Sequence, residues 1–411
     1  MLEREHIRVS SGSKSRRIRE GVPLQSRKSP PLLLCLSHLR WDFVWQRPQH
    51  LLSRAASDFR VIVFEEPVFK PEALPHLDIS ERASGVTVAF PVLKSGMSSA
   101  EIEAQQRRLL DGLLAAERPQ ELVLWYYTPM AIAFSGHVEA DFCVYDNMDE
   151  LSAFRGASPE MIANEAELLA RADIVFTGGL SLYEAKRDRH PRVRAFPSSI
   201  EAAHFAAARR ATGAEPADQA RIPHSRVGFF GVIDERMDLD LVDAVAKARP
   251  DWQFVMIGPV VKIDEAALPR RDNIHWLGSK AYAELPSYLG GWDVGFMPFA
   301  LNESTRFISP TKTPEFLAAG LPVVSTAITD VIRPYGEKGL VEIASSPEDA
   351  VGKIELLLAR PRSAWLARVD RQLGTGSWDK TWSEMRRTIL DGLGRPAGRD
   401  HSRLPVAIAA E

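Results

Sequence analysis

Lys312 and Glu315 stand three residues apart in the tract Ser309-Pro310-Thr311-Lys312-Thr313-Pro314-Glu315-Phe316-Leu317-Ala318-Ala319-Gly320-Leu321-Pro322-Val323-Val324. Thr313 is expected to cap a short helix with Pro314 at its first position, Glu315 in its first turn and Gly320 at its end. Such a helix start offers free N–H groups and a partial positive charge, to which Lys312 adds a full one, so a diphosphate is the natural ligand. Glu315 can accept hydrogen bonds from vicinal hydroxyls such as those of a ribose. Taken singly, the acid is only a favourable first-turn residue and the lysine a solvated one; together, in a loop–helix–strand setting, they read as a ligand site.

A second constellation is His38-Leu39-Arg40-Trp41-Asp42-Phe43-Val44-Trp45-Gln46-Arg47-Pro48-Gln49-His50. Its aromatic side chains can stack on sugar rings, and its Arg and Gln can bind hydroxyls or a lipid phosphate. His38, Trp41, Asp42, Trp45 and Arg47 are therefore candidates for binding a sugar-bearing ligand in a cleft, against the plainer reading that the tryptophans pack a domain edge. In Tyr145-Asp146-Asn147-Met148-Asp149-Glu150, Asp146 can orient or deprotonate a hydroxyl, with Asn147 beside it. Acids capping the following turn are the alternative. Asp238 and Asp240 read as helix N-terminal acids rather than as a metal site.

The elements that must position these residues follow from the hydrophobic pattern. Short apolar runs at 32–37, 61–64, 86–90, 122–126, 142–145 and 174–177 alternate with amphipathic stretches, and the alternation resumes at 226–232, 252–257, 274–277, 294–298 and 322–326. This is the signature of βα units on mostly parallel sheets. A chain of 411 residues is too long for one ordinary core. The expected organisation is a basic tail over 1–29, a first domain over 30–205, an Ala/Arg/Pro-rich linker over 206–223, a second domain over 224–376, a terminal helix over 377–392 and a loose tail from 393. In open α/β sheets ligands bind beyond the carboxyl ends of the strands, so two such domains facing a cleft suit a reaction of two substrates.

Absences narrow the chemistry. No G-x-G-x-x-G follows a strand, and there is no G-x-x-x-x-G-K-[ST], H-E-x-x-H, C-x-x-C or G-x-S-x-G. Dinucleotide-dependent redox chemistry, P-loop hydrolysis, a dedicated transition-metal site and the common α/β-hydrolase reading are all disfavoured. A net charge of −3 gives no reason to expect nucleic acid. Two cysteines in apolar runs fit a reducing compartment, and no apolar stretch is long enough to span a bilayer, so a cytoplasmic protein is expected. The first 28 residues hold eight Lys or Arg against three Glu. That composition reads as a solvated tail or, alternatively, as a peripheral foothold on anionic lipid at the inner face of the membrane.

The tract at 310–324 resembles the donor-binding motif of the retaining group 1 (family 4) GT-B glycosyltransferases, P-x-K-x-x-E-[FY]-[LM]-A-x-G-x-P-V-V. GFFGVI at 228–233, FVMIGP at 254–259, IHWLG at 274–278, DVGFMPF at 293–299 and the Ser-Trp of 377–378 resemble further motifs in the same order. The W-D…W-Q-R-P-Q-H tract is similar to a bacterial envelope-polysaccharide subgroup. The resemblance implies two Rossmann-like domains facing a cleft, with the terminal helix crossing back to the first. It implies transfer of a sugar, with retention, from a nucleotide-diphosphate sugar to a glycan or glycolipid hydroxyl, with no cofactor and no metal. It places Arg236 and Lys312 against the leaving diphosphate and Gly231, Ser309, Thr311, Thr313 and Glu315 around the donor. Where the family has the first acid of E-x7-E this chain has Phe307, so Glu303 in the same loop is the expected substitute. Val232 stands at the usual Arg of the phosphate turn, and Arg236 is the nearest cation. A sugar-nucleotide epimerase and a silent binding protein of the same fold are the alternatives.

Overall fold

The computed structural model describes residues 30–153, 158–210 and 215–394. The basic tail over 1–29 and nearly all of the tail from 393 lie outside the described residues. The first sheet contains β1 (Leu32–Ser37), β2 (Arg60–Glu65), β3 (Val68–Lys70), β4 (His76–Glu81), β5 (Val86–Lys94), β6 (Leu122–Tyr126), β7 (Phe142–Asn147), β8 (Ile174–Thr177) and β9 (Val193–Ala195). Their order is β3-β5-β2-β1-β6-β7-β8-β9, all parallel, with β4 laid antiparallel on β5. The second sheet is β10 (Arg226–Phe230), β11 (Gln253–Ile257), β12 (Ile274–Trp276), β13 (Val294–Met297), β14 (Val323–Thr326) and β15 (Val341–Ala344). Its order is β12-β11-β10-β13-β14-β15, all parallel. The fold is therefore α/β with two doubly wound domains, as the sequence pattern predicts.

Near-continuous apolar runs make these strands because a parallel sheet is covered on both faces. In β1 every residue is buried. Leu33 and Cys35 face one core, while Leu32, Leu34 and Leu36 face the other. The helix Trp378–Leu393 covers the first of these faces, far from its own domain in sequence. Trp378, Trp382, Met385 and Ile389 recur at helical spacing and enter that core as one stripe. Gly392 lies against Phe142, whose ring stands 2.1 Å from where a Cβ would be. Ser377 caps this helix by accepting from the Lys380 amide.

The segment 206–223, expected as a linker, is part of the second domain over its described residues. Phe205, Ala208 and Ile222 are buried in the second core, so the chain changes domain between Phe196, in the first core, and Ile200, in the second. Arg209 donates to the carbonyls of Ala318 (2.6 Å) and Leu317 (3.2 Å), satisfying the free end of the helix Lys312–Ala318. Sequence periodicity misses this because the helix Ala202–Ala206 is only one turn long. Among the described residues, no helix is long and apolar enough to cross a membrane.

Candidate active site

Each sheet reverses its strand order once: between β1 and β6 in the first domain and between β10 and β13 in the second. The loops leaving these strands meet at the domain interface, where switch points place ligands. After β10 comes Gly231, with φ of +137°, and after β11 comes Gly258, with φ of +145°. A Cβ on Gly258 would lie 1.8 Å from the Gly231 carbonyl oxygen, and one on Gly231 would lie 1.9 Å from Lys312 Cε. Glycine is thus required twice, for its backbone conformation and for close approach. The result is a floor of bare backbone with the Lys312 side chain laid across it.

Lys312 is the first residue of its helix, which starts earlier than the sequence indicates. Thr311 is the flanking residue and Thr313 lies inside the first turn. Thr313 is 0% exposed, with its hydroxyl 3.6 Å from the Met297 sulfur, so it neither caps the helix nor reaches the cleft. The amides of Thr313 and Glu315 donate to the Pro310 and Thr311 carbonyls, which reduces the set of amides expected for a diphosphate. Glu315 is 8% exposed, and its carboxylate makes no hydrogen bond within the described residues. Burial pushes its pKa up to about 7, although the Lys312 charge pulls the other way. Desolvation lowers the Lys312 pKa, partly offset by Glu315. Arg236 is oriented by a two-pronged contact with Asp234 at 3.0 and 2.7 Å. Lys312, Glu315 and Arg236 line one cavity of ≈ 400 Å³ together with Gly231, Tyr282 and the 41–46 loop of the first domain. That is the size of an ordinary small-molecule site.

A smaller chamber of ≈ 100 Å³ continues from this cavity past Arg236, Thr311 and Lys312 to Asp149 and Arg47. Ser309 lines it and also joins the domains, its carbonyl accepting from the Ser198 hydroxyl at 2.8 Å. Glu303 does not take the position left by Phe307. Its side chain is 74% exposed, 3.6 Å from Arg306, and lines neither space.

The first-domain candidates divide. Trp41 is 7% exposed and fixed at both ends of its backbone, its N–H donating to Glu65 at 2.6 Å and its carbonyl accepting from Gln49 at 2.7 Å. Asp42 pairs with Arg82 at 2.6 Å, and Trp45 donates to His50 at 3.2 Å while its ring lies 6.0 Å from Tyr282 of the second domain. All three line the larger cavity. His38 lines neither space; its Nδ1 is buried without a partner, and burial lowers its pKa to about 4, leaving a neutral imidazole at neutral pH.

Asp146 is a correction to the sequence reading. Its carboxylate is fully buried and gripped by Arg47 at 3.0 and 2.8 Å, with the guanidinium also donating to the Phe196 carbonyl at 2.7 Å. A carboxylate so engaged is structural and not a free base, and it takes up most of Arg47 as well. Asn147 is likewise used inside the fold, donating to Tyr145 Oη at 2.8 Å and to the Asp149 carbonyl at 3.0 Å. The strand-end acid that reaches the cleft is Asp149. The sequence placed it in the same tract, but nothing there says which acid Arg47 would take.

Asp238 caps the helix Leu239–Ala248, accepting from the Leu241 amide. Among the described residues no group of three or more His, Cys, Asp or Glu is placed to hold a metal ion.

Known proteins resemble this chain in sequence and in fold. Residues 224–360 match the family model for glycosyl transferases group 1. The chain is 25% identical over 304 residues to the putative teichuronic acid biosynthesis glycosyltransferase TuaH of Bacillus subtilis (strain 168), covering 68% of this chain and 71% of that protein. An E. coli structure described as trehalose-6-phosphate bound with UDP-2-fluoro glucose aligns with a TM-score of 0.65 at 13% identity, over 89% of this chain and 99% of that one. Sucrose-phosphate synthase from Thermosynechococcus elongatus aligns with a TM-score of 0.66 at 13% identity, over 88% and 98%. The second domain carries the group 1 match, both domains carry the fold shared with these structures, and together these likenesses identify a glycosyltransferase of two facing Rossmann-like domains.

Proposed function

We propose that this enzyme moves a sugar from a nucleotide-diphosphate sugar, held in the larger cavity, to a hydroxyl of a glycan or glycolipid acceptor lying against the first domain, with retention of anomeric configuration. The observation that carries this reading is the convergence of Lys312, Arg236 and Glu315 on one cavity at the switch point of the second sheet. The two cations stabilise the negative charge that develops on the departing diphosphate, and Arg236 offers the planar fork that phosphate oxygens match. Glu315 accepts from the ribose hydroxyls. Trp41 and Trp45 close the cavity from the other domain, so the donor is sheltered from water when both domains hold it. No metal or other cofactor is needed in this scheme, because the protein's own cations act on the leaving group. The likeness to a teichuronic acid enzyme supports cell-envelope polysaccharide as the product, and the structure bound with UDP-2-fluoro glucose makes a UDP-sugar the first donor to test.

The test is release of nucleoside diphosphate from UDP-, GDP-, ADP- and TDP-hexoses with and without a lipid extract of bacterial envelope, with the product's anomeric configuration read by NMR. Acceptor-dependent release with a retained anomer is expected. An inverted anomer removes retention, and donor epimerised without acceptor replaces transfer by epimerisation.

A further inference from the structure

Asp149 is the first-domain acid that lines the small chamber. Its backbone is pinned from several sides. The carbonyl of Asp149 accepts from Asn147 Nδ2 at 3.0 Å and from the Leu151 amide at 3.1 Å. On one side, Met148 packs against Gly178, where a Cβ would stand 2.8 Å from the Met148 carbonyl oxygen. On the other, Glu150 is clamped by the buried Lys186 at 2.8 Å, and Lys186 is itself held by Glu165 at 2.6 Å. Yet the Asp149 carboxylate makes no hydrogen bond within the described residues. It lines the small chamber together with Arg236 and Lys312, the two cations given to the leaving diphosphate. A rigid backbone presenting an unengaged carboxylate beside the departing group is how a reacting side chain is preorganised.

We propose that Asp149 is a catalytic residue that receives the proton of the acceptor hydroxyl, an inference that rests on the donor-site reading above. The acceptor oxygen bonds to the anomeric carbon on the same face from which the diphosphate departs, which keeps the anomeric configuration, as its proton passes to the Asp149 carboxylate. The bond from that carbon to the β-phosphate oxygen breaks, its electron pair leaving on the nucleoside diphosphate between Arg236 and Lys312, and the proton is then lost from Asp149 to water. The charged groups around it are Arg47 of the first domain and Asp234, Arg236 and Lys312 of the second. Burial raises the Asp149 pKa, with Asp234 acting in the same direction and the cations against it, which makes the carboxylate a better base at neutral pH than an ordinary aspartate.

The experiment uses the full chain as wild type, Asp149→Asn and Asp149→Glu. Diphosphate release is followed with the first of UDP-glucose, GDP-mannose, ADP-glucose or TDP-glucose that the wild type consumes, using water and an octyl glycoside as acceptors. Asp149→Asn should lower kcat roughly 10²–10³-fold, the scale of a lost general base. Donor KM and diphosphate affinity should stay within about threefold, as for a group acting only in the transition state. The acidic limb of the wild-type kcat–pH profile should lose the ionisation due to Asp149 and keep that of Glu315, and Asp149→Glu should recover part of the rate. A kcat for Asp149→Asn within about threefold of wild type overturns the assignment, as does a loss matched by equal losses in diphosphate affinity and unfolding temperature. A wild type that binds none of the four diphosphates and consumes none of the donors overturns the donor-site reading and this one with it.

Discussion

Replacing Glu315 by Gln should stabilise the unliganded protein, and by an amount that grows with pH. In the unfolded chain this carboxyl ionises near the ordinary value of 4.5, whereas in the fold burial raises it to about 7. Between those values the folded chain holds a proton that the unfolded chain has lost, so stability falls as pH rises. The penalty is absent well below pH 4.5 and complete above pH 7. A shift of about 2.5 units corresponds to roughly 3 kcal/mol, and Gln carries none of it. The advantage of Glu315→Gln over wild type should therefore be about 1 kcal/mol at pH 5 and about 3 kcal/mol at pH 8. At the scale of the second domain that is roughly 5–10 °C in unfolding temperature at pH 8. Lys312 loses its nearest counter-charge in the variant, which takes back part of the gain, so the slope against pH is the quantity to read. Urea and thermal unfolding of both proteins at pH 5, 6, 7 and 8 measure it. A difference that is flat with pH, or that favours wild type increasingly at high pH, refutes the reasoning. The same variant should bind nucleotide more weakly, since an amide accepts less well than a carboxylate, so stability and binding should move in opposite directions.

Lys312→Ala should lower turnover on the order of 10²-fold or more, by analogy with the loss of one transition-state donor; steady-state kinetics giving near-normal turnover would remove Lys312 from the mechanism. Asp146→Asn should act on the fold instead. It leaves a buried guanidinium without its counter-charge at a cost of about 3–5 kcal/mol in urea unfolding, with diphosphate affinity little changed. Unaltered stability with activity lost would return Asp146 to the chemistry.

How much of this was legible depends on the range over which each feature is determined. The buried parallel strands were readable because each is a short apolar run, and all of those expected formed. The edge of the first sheet was not. β4 pairs antiparallel with β5 without a single buried residue, and β9 is three residues long, so neither shows the apolar run by which the inner strands are read. At the site, the spacing of Lys312, Glu315 and Gly320 reports a local helix and carried the donor reading. Thr313 is not the cap because the helix begins two residues earlier than the sequence suggests, and its hydroxyl is used inside the core. Asp146 was misread because its partner lies 99 residues away. Which of two neighbouring acids meets a distant arginine and which faces a cleft is decided by packing, and local sequence does not encode it.

The most direct test of the account is the thermal shift of the wild-type chain and of Glu315→Ala with UDP, GDP, ADP and TDP. A ligand at a hundredfold its dissociation constant adds about 2.7 kcal/mol to the folded state, a shift of roughly 4–10 °C for a domain of this size. A shift with one of these nucleotides that is lost in Glu315→Ala is expected. No shift with any of the four, or a shift that the variant keeps in full, would contradict the placement of the donor in this cavity.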